Sequence, residues 1–181
     1  MTTSDPAPGH FLAGIAALIR NDAGEYLQLQ RSAERDVGAG VWESVTGRVD
    51  QGESFEAALH REVREETALR VRIDLIVGLS HFHRGTEIPE NELQGVVFAC
   101  SIEGDDTVTI GPEHSQYRWL PTETAIAFLD APDADTAWFR NSLERAEALR
   151  RLEPPGWDSL HATGVTLDWR HHLTSPRAPP R

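Results

Sequence analysis

The chain alternates between unbroken apolar runs and stretches in which apolar positions recur at a fixed spacing. "FLAGIAALIR" (11–20) is a short apolar run, which predicts a buried strand. "NDAG" (21–24) is a turn signal and "EYLQLQR" (25–31) alternates, so the two segments predict a hairpin. A polar, glycine-containing loop, "SAERDVGAG" (32–40), precedes a short strand, "VWESVTG" (41–47). From Ser54 to Thr67 the period changes. Phe55, Ala58, Leu59 and Val63 recur three and four apart, which predicts a helix with these residues as its buried stripe. Further strands are predicted at 71–82, 93–102 and 116–120, and helices at 122–129 and 135–152. This order of elements predicts an α+β fold, a sandwich built on a mixed sheet. The chain divides into a disordered lead (1–10), one folded domain (11–152) and a tail (153–181), docked or partly disordered.

Composition narrows the partners. The 181 residues suit one domain, and 29 acidic against 17 basic residues give a net charge of -12. That balance excludes general binding to a nucleic-acid polymer, which needs a basic surface. It does not exclude small phosphorylated ligands, because a bound cation reverses the local field. The one cysteine, Cys100, permits no internal disulfide, and its run "VVFAC" predicts a buried, inert thiol. No basic start leads into a long apolar segment and no apolar run is long enough to span a bilayer, so a cytoplasmic protein without a membrane partner is expected. The oligomeric state, monomer or homodimer, stays open.

The helix at 54–67 carries Glu62, Glu65 and Glu66 within an arc of about 100°. Like charges at such spacings repel. One reading is a solvated face, with Arg61 and Glu65 as an i,i+4 pair. The other is a nest of carboxylates for a hard divalent cation such as Mg²⁺, which takes oxygen ligands from one or two carboxylates plus substrate phosphates. A cation would relieve the repulsion. His81 with His83, and His171 with His172, lack a third nearby ligand and make a weak zinc signal. Trp42, Trp119, Trp138, Trp157 and Trp169 could stack a ring, although aromatics chiefly serve packing.

The spacing of Gly47, Glu53, Arg61, Glu62, Val63, Glu65, Glu66 and Leu69 closely resembles the Nudix box, the signature of hydrolases acting on a nucleoside diphosphate linked to another group. Every fixed polar or glycine position matches but one. Ala68 stands where that family has a glycine at positive φ, so altered capping is expected there. The pattern of strands and helices extends the resemblance over about residues 11–150. Within the family, "SVTG" (44–47), "EHSQYRWL" (113–120) and, more loosely, "TAWFRNSLERA" (136–146) resemble dihydroneopterin triphosphate pyrophosphohydrolases.

The resemblance implies a Nudix-type α/β/α sandwich with a mixed β-sheet. It implies a pyrophosphohydrolase that uses Mg²⁺, with Mn²⁺ able to substitute. Glu62 and Glu66 would be metal ligands, and Glu65 a third ligand or the base that acts through water. The Gly47 carbonyl and Glu113 would add ligands, Arg31 and Thr46 would lie near substrate, and Glu53 and Arg61 would brace the box loop against its helix. The segment after the box, "GLSHFHRG" (78–85), has neither the proline of ADP-ribose-type members nor the tyrosine of dinucleoside polyphosphate members, which leans toward a nucleoside or pterin triphosphate. Alternatives are another nucleoside diphosphate compound (a nucleotide sugar, ADP-ribose or a dinucleoside polyphosphate) and a non-catalytic nucleotide-binding module. Degenerate modules would be expected to lack box carboxylates, and here all three are present.

Overall fold

The computed structural model describes residues 9–34, 38–130, 132–152, 157 and 164–166. Most of the expected lead and tail, with Trp169, His171 and His172, lies outside them. Strands β1 (Leu12–Arg20) and β2 (Glu25–Arg31) form the predicted hairpin, but its ladder is short, with Arg20 opposite Tyr26. The two strands then splay apart. On the β2 side, β1 pairs antiparallel with β4 (Val45–Arg48), while β2 pairs with β3 (Trp42–Glu43) and with β7 (His114–Pro121). The strand expected as one piece at 41–47 is therefore two, broken at Ser44, because the segment passes from one partner strand to another. On its other side β1 runs parallel to β6 (Glu92–Ile102), which pairs antiparallel with β5 (Val71–His83). The sheet is mixed, as predicted.

Both faces of this sheet are covered, which is why β1 reads as a continuous apolar run and not as an alternating one. Ile15, Ala17, Leu29, Val45 and Phe98 pack beneath Ala58, Leu59 and Val63 of α1 (Phe55–Thr67). Ala16, Leu18, Tyr26 and Val97 pack against the other layer, α2 (Thr122–Phe128) and α3 (Ala134–Arg150). Phe55 is an exception to the expected stripe. It opens the helix and remains 38% exposed. Cys100 is fully buried and free, with its thiol pushed well above the ordinary range by burial. Among the described residues, no helix is long and apolar enough to cross a membrane.

A buried carboxylate fastens α3 to the sheet. Asp74 on β5 accepts hydrogen bonds from Ser101 Oγ at 2.6 Å, Arg150 Nη2 at 2.7 Å and Arg72 Nη2 at 3.1 Å. Its backbone carbonyl accepts from Trp157 Nε1 at 3.2 Å. A charge this deep is tolerated because each oxygen is paired.

Helix α1 begins at Ser54, whose hydroxyl accepts the Ala57 N–H at 3.1 Å. It ends at Ala68, which adopts φ 61° and ψ 5° and donates its N–H to the Arg64 carbonyl. The expected change of capping does not occur. Alanine takes the left-handed conformation that glycine would, because Leu69 and Val71 must turn straight into the core. A left-handed alanine costs about 1–2 kcal/mol, and glycine gives back part of that gain in the unfolded chain. Ala68→Gly should therefore stabilise the protein by about 0.5–1 kcal/mol, a rise of about 2 °C in Tm by differential scanning calorimetry.

Candidate active site

The three glutamates of α1 do not share one environment. Glu66 points inward and is 7% exposed, Glu62 is partly buried, and the Glu65 side chain is 61% exposed. Arg61 organises this side of the helix. Its Nε and Nη2 donate to the two Glu53 oxygens at 3.0 and 2.9 Å, and Nη2 also donates to the Arg48 carbonyl at 2.9 Å. The Asp50 N–H donates to Glu53 as well, at 3.1 Å. These bonds tie the loop that leaves β4 to the second turn of α1. Arg61 and Asp50 hold the Glu53 carboxyl below its usual range, and Glu53 and Glu62 raise the Arg61 guanidinium above its own. Arg61 Nη1 reaches Glu62 at 2.8 Å and Glu65 at 3.4 Å. The Glu65 contact is the i,i+4 pair of the solvated-face reading, worth a few tenths of a kcal/mol. It accounts for Glu65 but not for Glu66.

Two glycines bring backbone up to this helix. At Gly47 a Cβ would overlap the Glu62 carboxyl group, so only glycine lets that side chain lie against β4. At Gly111 a Cβ would stand 3.0 Å from the Glu65 carbonyl oxygen. Gly111 N–H donates to the Glu66 carbonyl and Thr109 N–H to that of Thr67, both at 2.9 Å. The segment before β7 is thus laid along the last turn of α1, and it carries Glu113 and His114 to Glu66.

The result is an enclosed cluster of acids. Burial is the main cause that pushes Glu66 up to about 9, followed by the charges of Glu43, Glu62 and Glu113, with Arg31 opposing. Among the described residues, Glu66 Oε2 has no hydrogen-bond partner, and neither has His114 Nδ1. Arg31 Nη1 donates to Glu43 at 2.8 Å, and His114 Nε2 lies 3.2 Å from the same Glu43 oxygen. Of the residues expected at the site, Glu62, Glu66, Glu113 and Gly47 meet here, with Arg31 beside them on Glu43. Thr46 alternates with Val45 and Gly47 and so faces the opposite side of β4.

Glu43 and His114 were not singled out from the sequence. A signal for Glu43 was present: alternation through "WESVTG" places it in phase with Val45 and Gly47, an acid on an inward face. His114 could be read only as the neighbour of Glu113. Elsewhere His81 pairs with Glu92 at 3.0 Å, and the described tryptophans pack: Trp42 against Phe128, Trp138 against Phe139, Trp119 and Trp157 against the two core layers. A depression of about 300 Å³ between β5 and α3, lined by Val77, Trp138 and Arg145, lies away from the glutamates.

A divalent cation fits this site on two observations: the bare, buried Glu66 oxygen, and the glycine that lets Glu62 stand against the backbone. Among the described residues no three His, Cys, Asp or Glu side chains already surround one point. A divalent ion here would rely on few carboxylates and on substrate phosphates. Without a cation the cluster costs stability. The Glu66 carboxyl titrates near 9 when folded and near 4.5 when unfolded, so its contribution is fully present below about 4.5 and is lost as pH rises through about 9. Glu66→Gln should therefore raise the Tm of metal-free protein at pH ~8, with the gain vanishing at pH ~4, as thermal unfolding in chelator would show.

Comparison with known proteins agrees with the box. A family model of the NUDIX domain matches residues 10–143. The chain is 32% identical to CTP pyrophosphohydrolase of Escherichia coli (strain K12) over 143 residues, covering 77% of this chain and 94% of that protein. It is 31% identical to nucleoside triphosphatase NudI of Klebsiella pneumoniae (strain 342), covering 60% of this chain and 81% of that one. Among solved structures, the MutT protein from Methanosarcina mazei Go1 superposes with a TM-score of 0.64 at 29% identity, covering 81% of this chain and 99% of that chain. The E. coli dihydroneopterin triphosphate pyrophosphohydrolase superposes with a TM-score of 0.55 over 74% of this chain and 92% of that chain; at 23% identity this is a likeness of fold. Other curated relatives are longer: the chain spans 29% of an octanoyltransferase of Myxococcus xanthus and 43% of Nudix hydrolase 2 of Arabidopsis thaliana. With the family model covering the whole sheet and α1, and Glu62 and Glu66 of the box standing at the acid cluster, the chain belongs to the Nudix hydrolase family.

Proposed function

We propose that this protein is a Mg²⁺-dependent pyrophosphohydrolase that cleaves a phosphoanhydride bond of a nucleoside or pterin triphosphate. The observation that carries this reading is the buried Glu66 carboxylate, bare at Oε2 and surrounded by Glu43, Glu62 and Glu113. Relatives described as a nucleoside triphosphatase and a CTP pyrophosphohydrolase support the substrate class. Glu62 and Glu66 would hold divalent metal, with Glu113 and the Gly47 carbonyl beside them. Divalent ions in such sites neutralise phosphate oxygens and make water a better nucleophile.

The remaining steps belong to the chain. Arg61 fixes Glu62 and keeps the box loop on the helix. Glu65 is the exposed member of the three, and in this reading it would take a proton from water or serve as a further ligand. Arg31 is proposed to meet the substrate at the rim of the cluster. Thr46 would meet it from the other face of β4, so a substrate touching both would pass around the edge of that strand. Water attacks phosphorus in line, the anhydride bond breaks, and no side chain becomes covalently attached.

Incubation with nucleoside triphosphates or a pterin triphosphate should give phosphate or pyrophosphate release with Mg²⁺ or Mn²⁺, while ADP-ribose and a dinucleoside polyphosphate, whose cleavage would give AMP with ribose 5-phosphate or a pair of nucleotides, should stay largely intact. Turnover should vanish with EDTA, and undiminished turnover in chelator would remove the mechanism. A second prediction rests on Glu113. Glu113→Gln should lower kcat by about tenfold or more, roughly 1.4 kcal/mol of transition-state stabilisation, and raise the Mg²⁺ concentration for half-maximal rate. A kinetic titration that leaves both unchanged would make Glu113 a bystander.

A further inference from the structure

Glu66 stands beside two donors, and another carboxylate holds them both. His114 Nε2 is 3.2 Å from Glu43 Oε1 but 3.9 Å from Glu66 Oε2, so only the first is a hydrogen bond. The His114 side chain is 1% exposed, which leaves it little choice of partner. Arg31 Nη1 donates to that same Glu43 oxygen at 2.8 Å, and its charge is felt at Glu66. A bare buried carboxylate would ordinarily draw a neighbouring cation to itself, because burial strengthens such bonds and removes water as a substitute. Here it does not. Glu43 is also buried, with a side chain 8% exposed, and both donors converge on its Oε1.

We propose that Glu43 is a positioning residue: by engaging Arg31 and His114 it keeps both off Glu66, so that Glu66 Oε2 stays bare for a divalent cation. This rests on the metal reading of the site given above. If Glu66 were paired within the protein, a cation would first have to break that pair. Glu43 removes that competition before the cation arrives, and its own charge adds to the field that attracts it. A purely structural Arg31–Glu43 ion pair would instead affect folding and leave cation affinity alone.

The test is binding of Mn²⁺ alone to the full chain, read as loss of the free-ion EPR signal, with thermal unfolding in chelator as the control. Glu43→Gln should fold, and should weaken Mn²⁺ binding by about tenfold as His114 and Arg31 turn to Glu66. Adding His114→Phe to Glu43→Gln should restore part of the lost affinity, because one competitor is gone. His114→Phe alone should bind Mn²⁺ no more weakly than the unaltered chain. Wild-type affinity in Glu43→Gln, or a double variant no better than the single one, overturns the inference. So does a folded His114→Phe that loses Mn²⁺, since His114 would then be a ligand; this arm decides the matter if Glu43→Gln does not fold. Failure of the unaltered chain to bind Mn²⁺ at all would overturn the metal reading, and this inference with it.

Discussion

The constraint that shapes the site is a carboxylate enclosed by protein and left without a hydrogen-bond partner at one oxygen. Burying an ionised group without compensation is costly, and a chain relieves that cost by neutralising the group, pairing it or leaving it for a cation. Glu66 is pushed up to about 9 and, among the described residues, its Oε2 has no hydrogen-bond partner, so without a cation the cost is met by keeping the proton and not by a hydrogen-bonded pair. The surrounding backbone is arranged to produce this enclosure. Gly47 admits Glu62 against β4, Gly111 admits the 109–113 segment against the end of α1, and the hydrogen bonds of Gly111 and Thr109 to the last turn hold that segment down.

A comparison within the same molecule shows that the unpaired oxygen is not a general property of its interior. Asp74 is as deeply buried as Glu66, each being 7% exposed. Asp74 receives Arg150, Arg72 and Ser101, and it joins β5, β6 and α3. Its bonds are satisfied, so it acts as a structural tie. Glu66 lies beside Arg31 and His114 yet bonds to neither. The two acids differ in whether nearby donors are already engaged, and at Glu66 they are engaged by Glu43.

Arg61 divides the labour on the helix in a similar way. Two-pronged bonding to Glu53 and the bond to the Arg48 carbonyl hold the loop, while a third nitrogen reaches Glu62. The contact to Glu65 is the longest of these and the most exposed, so it adds little to stability. Arg61 therefore fixes the geometry of this side of the helix chiefly through the loop and Glu62, and leaves Glu65 exposed to solvent.

The sequence by itself determined the element order, the buried stripe of Ala58, Leu59 and Val63, the box spacing and the acidic character of α1. These depend on local periodicity and on the types of residue at fixed separations, which a linear chain carries directly. It misjudged Phe55, because a helix pattern gives the angle of a residue but not whether the sheet extends beneath it. It misjudged the cap at Ala68, because tertiary packing of Leu69 and Val71 outweighs a local penalty of about 1–2 kcal/mol. It read 41–47 as one strand, since periodicity does not reveal a change of partner at Ser44. Only the tertiary structure decided that Glu65 and Glu66, adjacent in the chain, stand one in solvent and one in the interior. Glu113 was expected there from the resemblance, but only the tertiary structure brought Glu43 and His114 to Glu66, because those contacts join β3, the start of β7 and α1 across long separations in sequence. Burial, and the competition among neighbours for hydrogen bonds, exist only after the chain has closed on itself.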